Sequence, residues 1–97
     1  MKQTEILLTI KLHQELFIDP KRVRILKEIK ECGSINQAAK NAKVSYKSAW
    51  DHLEAMNKIS PKPLLERNIG GKNGGGTSLT TYAERLLQLY DLLEQTQ

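Results

Sequence analysis

The residues best suited to chemistry form one short run, Ser45-Tyr46-Lys47-Ser48, with Asp51 three residues further on. Together they offer hydroxyls, a phenol, an ammonium group and a carboxylate. Such groups form hydrogen bonds with the edges of nucleic-acid bases, and serine and lysine also bind phosphates. The run is therefore a candidate for polar recognition, provided that one exposed surface carries it.

A glycine-rich stretch, IGGKNGGGTSL from Ile69 to Leu79, offers a second kind of chemistry. It can be the phosphate loop of an enzyme, a flexible linker, or the tip of a hairpin that touches a polyanion. A P-loop needs serine or threonine after its lysine, whereas Asn73 follows Lys72, and the dinucleotide fingerprint needs a third glycine where Leu79 stands. A single helix after the stretch is too little for a second domain, which disfavours the linker. The sequence therefore favours a hairpin tip.

Length and composition limit the remaining functions. The chain has 97 residues, a net charge of +4 and a pI near 9.3, which predicts a single domain over residues 1–97 and favours a polyanionic partner. Its single cysteine, Cys32, is interpreted as a small apolar residue near a helix end, and we expect a cytoplasmic protein without a membrane span. Because there is no Cys/His pair or metal-ligand cluster, an enzyme is a weak hypothesis, and we predict neither a catalytic residue nor a metal site.

The first elements that must position these residues are a strand and a helix. Every second residue from Ile6 to Leu12 is apolar, which predicts one N-terminal strand with one buried face. A helix follows from about Pro20 to Glu31, with Asp19 as its N-cap and Gly33 ending it in the left-handed conformation. Its basic residues are placed mostly on the solvent side: Arg22, Lys27 and Lys30.

Residues 34–60 have the pattern of a helix-turn-helix. Ser34, with Gln37 three residues later, predicts a capping box that opens a short alanine-rich helix, and Lys43 and Val44 make a brief connection. Ser45 then caps a second helix with a buried stripe at helical spacing: Tyr46, Ala49, Trp50, Leu53 and Met56.

The first turn of such a second helix meets base edges in the major groove, so its exposed side is the predicted reading surface. We predict base reading by the opening run: Ser45, Tyr46, Lys47, Ser48 and Asp51. Tyr46 also belongs to the buried stripe, and both roles stay open for it. His52 is expected to be a surface histidine without chemistry.

The C-terminal third predicts a hairpin and a last helix. PKPLLERN ends in a short strand and TSLT returns after the glycines, while Thr81 with Glu84 predicts a second capping box. The helix has an apolar face wider than one core contact requires, because Leu87 and Leu92 extend it. We predict a symmetric dimer interface on this face: Tyr82, Leu86, Leu89, Tyr90 and Leu93. Burial within the same chain is the competing explanation.

These elements together predict an α+β fold. We expect a winged helix-turn-helix with an N-terminal strand, a glycine-rich wing hairpin and a C-terminal dimerisation helix.

Three segments carry a resemblance to a known family: SINQAAKNAKVSYKSAWDHLEAMN, LLERNIGGKNGGGTSLT and YAERLLQLYDLL. They resemble the N-terminal DNA-binding domain of the ModE family, the molybdate-responsive transcriptional regulators, from about Leu8 to Leu93. The resemblance implies a dimeric winged helix, related to that of LysR-type regulators, which binds double-stranded DNA at an inverted-repeat operator and controls genes for molybdate uptake or molybdenum enzymes. Full-length members continue into molybdate-binding domains, whereas this sequence ends at Gln97; it is either a short member without a sensor or the DNA-binding half of a longer protein. In both cases we expect these 97 residues to bind no molybdate or other cofactor by themselves.

The resemblance also places the site. It sets the run from Ser45 to Ser48 at the start of the recognition helix and Arg67 in the wing, with Asn73 as a mild departure from the family's glycine run. We predict DNA backbone contacts from eight residues: Ser34, Gln37, Lys43, Arg67, Gly70, Gly71, Lys72 and Asn73.

A winged helix that binds protein instead of DNA is the alternative function. Basic residues concentrate between Lys21 and Lys47 while the last helix is acidic, and this segregation argues for DNA. Simple solvation of helix surfaces explains the same lysines until the fold is known.

Overall fold

Four helices and two antiparallel hairpins make up the part of the chain that the computed structural model describes, residues 9–12, 15–68 and 76–96. The helices are α1 (Pro20–Cys32), α2 (Ile35–Asn41), α3 (Tyr46–Ile59) and α4 (Thr81–Gln95). The strands are β1 (Ile10–Leu12), β2 (Glu15–Ile18), β3 (Leu65–Asn68) and β4 (Gly76–Leu79). β1 pairs with β2, and β3 pairs with β4. The predicted α+β winged helix-turn-helix is confirmed.

The described part of the N-terminal segment pairs two strands, β1 and β2, where the sequence predicted a single strand from Ile6 to Leu12. Residues 6–8 of that predicted strand lie outside the described residues. Ile10 pairs with Ile18 and Leu12 with Glu15 in antiparallel register. Period-two alternation identifies the faces of a strand but not the point where the chain reverses. β2 buries Phe17 and Ile18 and contacts both α1 and α3, so the hairpin lies against the back of the helix-turn-helix.

α1 is the centre of the core, and its predicted ends are confirmed to within one residue. The carboxylate of Asp19 accepts a hydrogen bond from the amide of Arg22 at 2.8 Å. At the other end Gly33 has φ 70°, and its amide donates to the carbonyl of Ile29 at 2.7 Å. Three side chains of α1 are fully buried: Ile25, Leu26 and Ile29.

α2 and α3 begin at the serines that the sequence indicates. The Ser34 hydroxyl accepts from the amide of Gln37 at 3.1 Å, and the Ser45 hydroxyl accepts from the amide of Ser48 at 2.9 Å. The two helices contact each other, and Ala38 and Ala49 have no exposed surface. Small side chains therefore allow the close crossing that sets α3 relative to α2.

The β3–β4 hairpin, the wing, is attached to the core at its base. Leu65 pairs with Leu79 at that end and Asn68 with Gly76 at the other. Leu64, just before β3, is fully buried, and Leu79 is 6% exposed. These leucines fix the direction in which the hairpin leaves the core.

α4 is capped one residue earlier than predicted. The Thr80 hydroxyl accepts from the amide of Ala83 at 3.1 Å, so the capping box of Thr81 with Glu84 is wrong. Either threonine can act as an N-cap, although only Thr81 has a glutamate three residues later. The choice between them depends on a tertiary contact, because the Thr80 hydroxyl also donates to the carbonyl of Pro63 at 2.8 Å.

Candidate nucleic-acid interface

α3 presents its first two turns to solvent. Ala49, Leu53 and Met56 are buried and hold one side of the helix against the core, so the opposite side faces outward. The predicted base-reading residues all lie in these turns, and all are exposed except the half-buried Ser48: Ser45, Tyr46, Lys47, Ser48 and Asp51. Whether they read bases stays a prediction, but the structure groups them at one accessible end.

The two roles left open for Tyr46 are separated by its exposure. Tyr46 is 52% exposed, whereas Trp50 is half-buried and packs against the core. The two rings meet edge to face, with centroids 6.3 Å apart and an angle of 78°. Trp50 therefore supports Tyr46 from behind and leaves the phenol accessible.

Lys47 and Asp51 form an ion pair on the exposed side of α3. The Lys47 ammonium lies 3.1 Å from the Asp51 carboxylate, and the two side chains are 84% and 61% exposed. Such a pair contributes little to stability and exchanges readily for other partners. Both groups can therefore be redirected to a ligand at low cost.

The turn between α2 and α3 is held by a Schellman motif with lysine at the left-handed position. Among the described residues other than glycine, Lys43 alone has a positive φ, 62°. Its amide donates to the carbonyl of Lys40 at 3.1 Å, and the amide of Val44 donates to the carbonyl of Ala39 at 3.0 Å. The Lys43 side chain is exposed, so an ammonium group projects from the turn just before the candidate reading helix.

The predicted capping box at α2 is only half formed. Gln37 is exposed, and its side-chain amide donates to the side-chain carbonyl of Asn41 at 3.1 Å. The hydrogen bond from the Gln37 amide to Ser34 remains. Backbone contacts from Ser34 and Gln37 stay a prediction.

In the wing, only the strands are described. Arg67 on β3 is exposed, as a phosphate contact requires. Four other predicted contacts lie outside the described residues: Gly70, Gly71, Lys72 and Asn73.

The end of the wing away from the core leucines is joined to the turn between α1 and α2. The amide of Thr77 donates to the carbonyl of Gly33 at 3.0 Å. A Cβ atom on Gly76 would lie 2.7 Å from the same carbonyl oxygen, which only glycine avoids. The wing is thus bonded to the backbone just before Ser34, where α2 begins.

Some of the basic residues expected on the surface form ion pairs with carboxylates of the same chain. Arg24 lies 3.3 Å from Glu28, and Lys27 lies 2.9 Å from Asp91, which joins α1 to α4.

Cys32 is not a simple apolar residue: it is half-buried, and its sulfur accepts from the Asn41 side chain at 3.2 Å.

Arg22 and His52 are the residues that sequence reasoning misplaced. Arg22 is 8% exposed instead of facing solvent, and its guanidinium Nε donates to His52 Nδ1 at 3.0 Å. Burial first, and then the charge of Arg22, lower the pKa of His52 from its ordinary 6.5. Helical periodicity does not reveal such a residue, because its partners come from distant parts of the chain.

The face of α4 predicted to form a dimer interface is divided between the core and solvent. Tyr90 is 2% exposed, and Tyr82 and Leu86 pack partly against this chain's own core. Burial and the nearby Glu94 raise the pKa of the Tyr90 phenol. The exposed apolar residues of α4 are Leu89, Leu92 and Leu93, at 50%, 57% and 37%. Burial in the same chain therefore accounts for Tyr90, while the leucines remain accessible.

The described residues contain neither a metal-binding cluster nor a membrane-spanning helix. Within residues 9–12, 15–68 and 76–96, no group of three or more His, Cys, Asp and Glu side chains is placed to hold a metal ion. Within the same ranges, no helix has the length and apolar character needed to cross a membrane.

Comparison with known proteins gives a family and close relatives. The profile of the bacterial regulatory helix-turn-helix proteins of the lysR family matches residues 20–84. The transcriptional regulator ModE of Haemophilus influenzae is 90% identical over 97 residues, covering 100% of this chain and 38% of that protein. The DNA-binding transcriptional dual regulator ModE of Escherichia coli is 59% identical over 95 residues, covering 98% of this chain and 36% of that protein. The molybdenum transport protein ModE of Azotobacter vinelandii is 49% identical over 73 residues, covering 75% and 27%. The chain thus spans well under half the length of these relatives.

Proposed function

The chain belongs to the bacterial regulatory helix-turn-helix proteins of the lysR family, in the ModE group, and from this premise we propose that it is the sequence-specific DNA-binding part of a transcriptional regulator. One observation carries the proposal. The first two turns of α3 expose hydroxyl, phenol, ammonium and carboxylate groups on a helix that Ala49 and Leu53 anchor to the core. A rigid helix with an exposed polar start is what major-groove reading requires.

Each exposed group has a suitable partner on DNA. Lys47 can donate to guanine O6 and N7, and Asp51 can accept from the cytosine amino group once their ion pair opens. The phenol of Tyr46 can contact bases or the thymine methyl group. Lys43 before α3 and Arg67 on the wing flank this surface with positive charge for phosphates.

We further propose that two chains bind one operator as a homodimer. The exposed Leu89 and Leu92 support an interface on α4, since contiguous apolar exposure on a small domain favours a partner surface. Two-fold symmetry then demands an inverted repeat, with the α3 helices about 34 Å apart or a multiple of it.

The relatives suggest the genes that are regulated. One bears the name molybdenum transport protein, and others are called transcriptional regulators ModE. We propose that this chain acts on genes for molybdate transport or molybdenum enzymes, in the cytoplasm where bacterial DNA is accessible.

The test is selection of bound duplexes from a random pool, followed by gel shifts over a range of salt concentrations. We expect an enriched inverted repeat that is bound at least about 10³-fold more tightly than random duplex. The double variant Tyr46→Ala, Ser48→Ala should change the enriched sequence, while Glu31→Gln on the exposed side of α1 serves as control. Failure to enrich any sequence, together with salt-independent or absent binding, would favour the protein-binding alternative.

A further inference from the structure

Among residues 9–12, 15–68 and 76–96, Arg22 is the one charged residue that is buried. Its guanidinium Nη1 donates to the carbonyls of Leu16 at 2.8 Å and Phe17 at 3.3 Å, both in β2. Its Nε donates to His52 Nδ1 at 3.0 Å, in α3. One side chain of α1 thus bonds to the N-terminal hairpin and to the candidate reading helix.

These bonds fix the state of His52. Because arginine stays protonated, Arg22 can only donate, and His52 must accept at an unprotonated Nδ1. A neutral imidazole then carries its proton on Nε2. A second proton would put a donor against a donor and place two positive charges about a hydrogen-bond length apart.

The position of His52 connects this contact to the reading surface. It directly follows Asp51 and lies four residues after Ser48, on the same helix side one turn later. A rotation of α3 about its axis that displaced the His52 ring would therefore displace the reading side chains by a similar angle. The alanine contacts of α3 are apolar and weakly directional, whereas the three hydrogen bonds of Arg22 are directional.

We propose that Arg22 is a positioning residue that sets the orientation of α3 against the N-terminal hairpin through neutral His52, so that protonation of His52 misaligns the reading surface. This deepens the proposed function and rests on it for its DNA readout. The charged groups around His52 are Arg22 and Lys21 of α1, Asp19 of the α1 cap, and Asp51 of α3. The carboxylates favour protonation, but burial and the two cations oppose it more strongly.

The sign of the pH effect distinguishes this positioning role from a direct electrostatic contact between His52 and DNA. A histidine near DNA ordinarily strengthens binding when it gains a proton, because it adds a positive charge. A positioning pair predicts the opposite. Acidification below pH 6.5 should weaken binding of the selected duplex, with a limiting slope of about tenfold per pH unit for one proton.

The DNA experiment compares four proteins at constant ionic strength between pH 5 and 8, using the duplex selected from the random pool. The unchanged chain should lose affinity on acidification. His52→Gln retains an acceptor for Arg22 without titrating, so it should bind well at pH 7.5 and show a flat profile. His52→Leu should be several-fold weaker throughout. His13→Gln controls for the chain's other histidine and should keep the original profile.

A second measurement needs no DNA. Two-bond ¹H–¹⁵N spectra should show a neutral His52 protonated on Nε2, and residual dipolar couplings should show α3 rotating against the hairpin in His52→Leu and on acidification, but not in His52→Gln. If no duplex binds at any pH, the proposed function fails, and these couplings alone decide the positioning role. The proposal is overturned if α3 keeps its orientation in His52→Leu, or if acidification strengthens binding equally with and without His52.

Discussion

At Lys43 the backbone and the side chain have separable effects. The left-handed φ of 62° is strained for a residue with a Cβ atom, and the exposed ammonium group is placed for phosphate contact. Lys43→Gly should therefore raise the free energy of unfolding by about 1 kcal/mol. It should also weaken binding to every duplex alike and lower the salt slope of binding by about one. Urea denaturation and salt-dependent gel shifts measure the two effects.

Lys43→Ala is the matched control, because it removes the charge and keeps the strain. It should weaken DNA binding as much as Lys43→Gly and leave stability nearly unchanged. Equal stability of the two variants would refute the account of strain, and unchanged salt slopes would remove Lys43 from the phosphate contacts.

Asp51 restrains Lys47 in the absence of DNA. Asp51→Asn frees the ammonium and removes a negative charge from the reading surface, so affinity for random duplex should rise several-fold at low salt. The free energy of unfolding should change by less than about 0.5 kcal/mol, since the pair is exposed. Competition between selected and random duplexes would show a smaller specificity ratio.

Glu54→Gln on the next turn removes an equal charge from the exposed side of α3 without touching Lys47. This variant distinguishes the loss of general repulsion between α3 and DNA from the release of Lys47. If both variants raise random-duplex affinity equally and neither changes the preferred sequence, Asp51 has no reading role.

Sequence patterns identified the side chains whose hydrogen bonds lie within their own helix. They did not identify the side chains whose hydrogen-bond partners belong to distant elements. Ser34, Ser45 and Asp19 cap helices as predicted because an N-cap is a local bond. Arg22 was placed in solvent because its acceptors belong to β2 and α3. The left-handed Lys43 was missed because the sequence lacks the glycine that usually marks that position.

The wing depends on a backbone contact that allows no side chain at Gly76. A Cβ there would lie 2.7 Å from the Gly33 carbonyl oxygen, which is backbone and cannot swing aside. Gly76→Ala should therefore reduce the free energy of unfolding by about 1–3 kcal/mol and weaken the hydrogen bond from Thr77 to Gly33. Faster hydrogen exchange of the Thr77 amide, with weaker DNA binding, should accompany the loss.

Gly33→Ala is the matched control. At Gly33 the added Cβ would meet the Thr77 carbonyl oxygen at an ordinary 3.9 Å, and the cost comes from φ 70° instead. It should cost about 1 kcal/mol and leave Thr77 exchange slow relative to the global opening. If Gly76→Ala leaves Thr77 protected and DNA binding intact, the wing is not held by this contact.

Helices were more predictable than strands and tertiary contacts. Helical spacing and capping residues located all four helices to within about one residue. The hairpin of β1 and β2 and the Thr80 cap were missed, since both depend on tertiary partners: the helices that cover β2, and Pro63 beside Thr80. The site followed the same rule. The order of residues on α3 was visible, but three tertiary contacts were not: the ring contact of Trp50 with Tyr46, the bond from Arg22 to His52, and the bond from Thr77 to Gly33.

At the scale of the whole molecule, the C-terminal end of α4 has a side that the described core does not cover. Leu92 is 57% exposed there, although Leu87 and Tyr90 on the other side are buried. If these turns form the proposed dimer interface, Leu92→Lys should raise the dimer dissociation constant about tenfold or more, because a buried leucine contributes about 1.5–3 kcal/mol. Sedimentation equilibrium measures this, and Glu31→Gln makes the same change of net charge at an exposed site on α1, outside α4, as control.

Dimer loss should have a particular signature on DNA. A monomer retains the α3 surface but makes about half the phosphate contacts, so Leu92→Lys should halve the salt slope of operator binding. Affinity for a single half-site should change little, whereas affinity for the inverted repeat should fall toward the half-site value. Glu31→Gln should keep the full slope and the preference for the inverted repeat. If Leu92→Lys also keeps the full salt slope and the preference for the inverted repeat, the leucines of α4 do not join the two chains. Pairing on DNA must then use another surface.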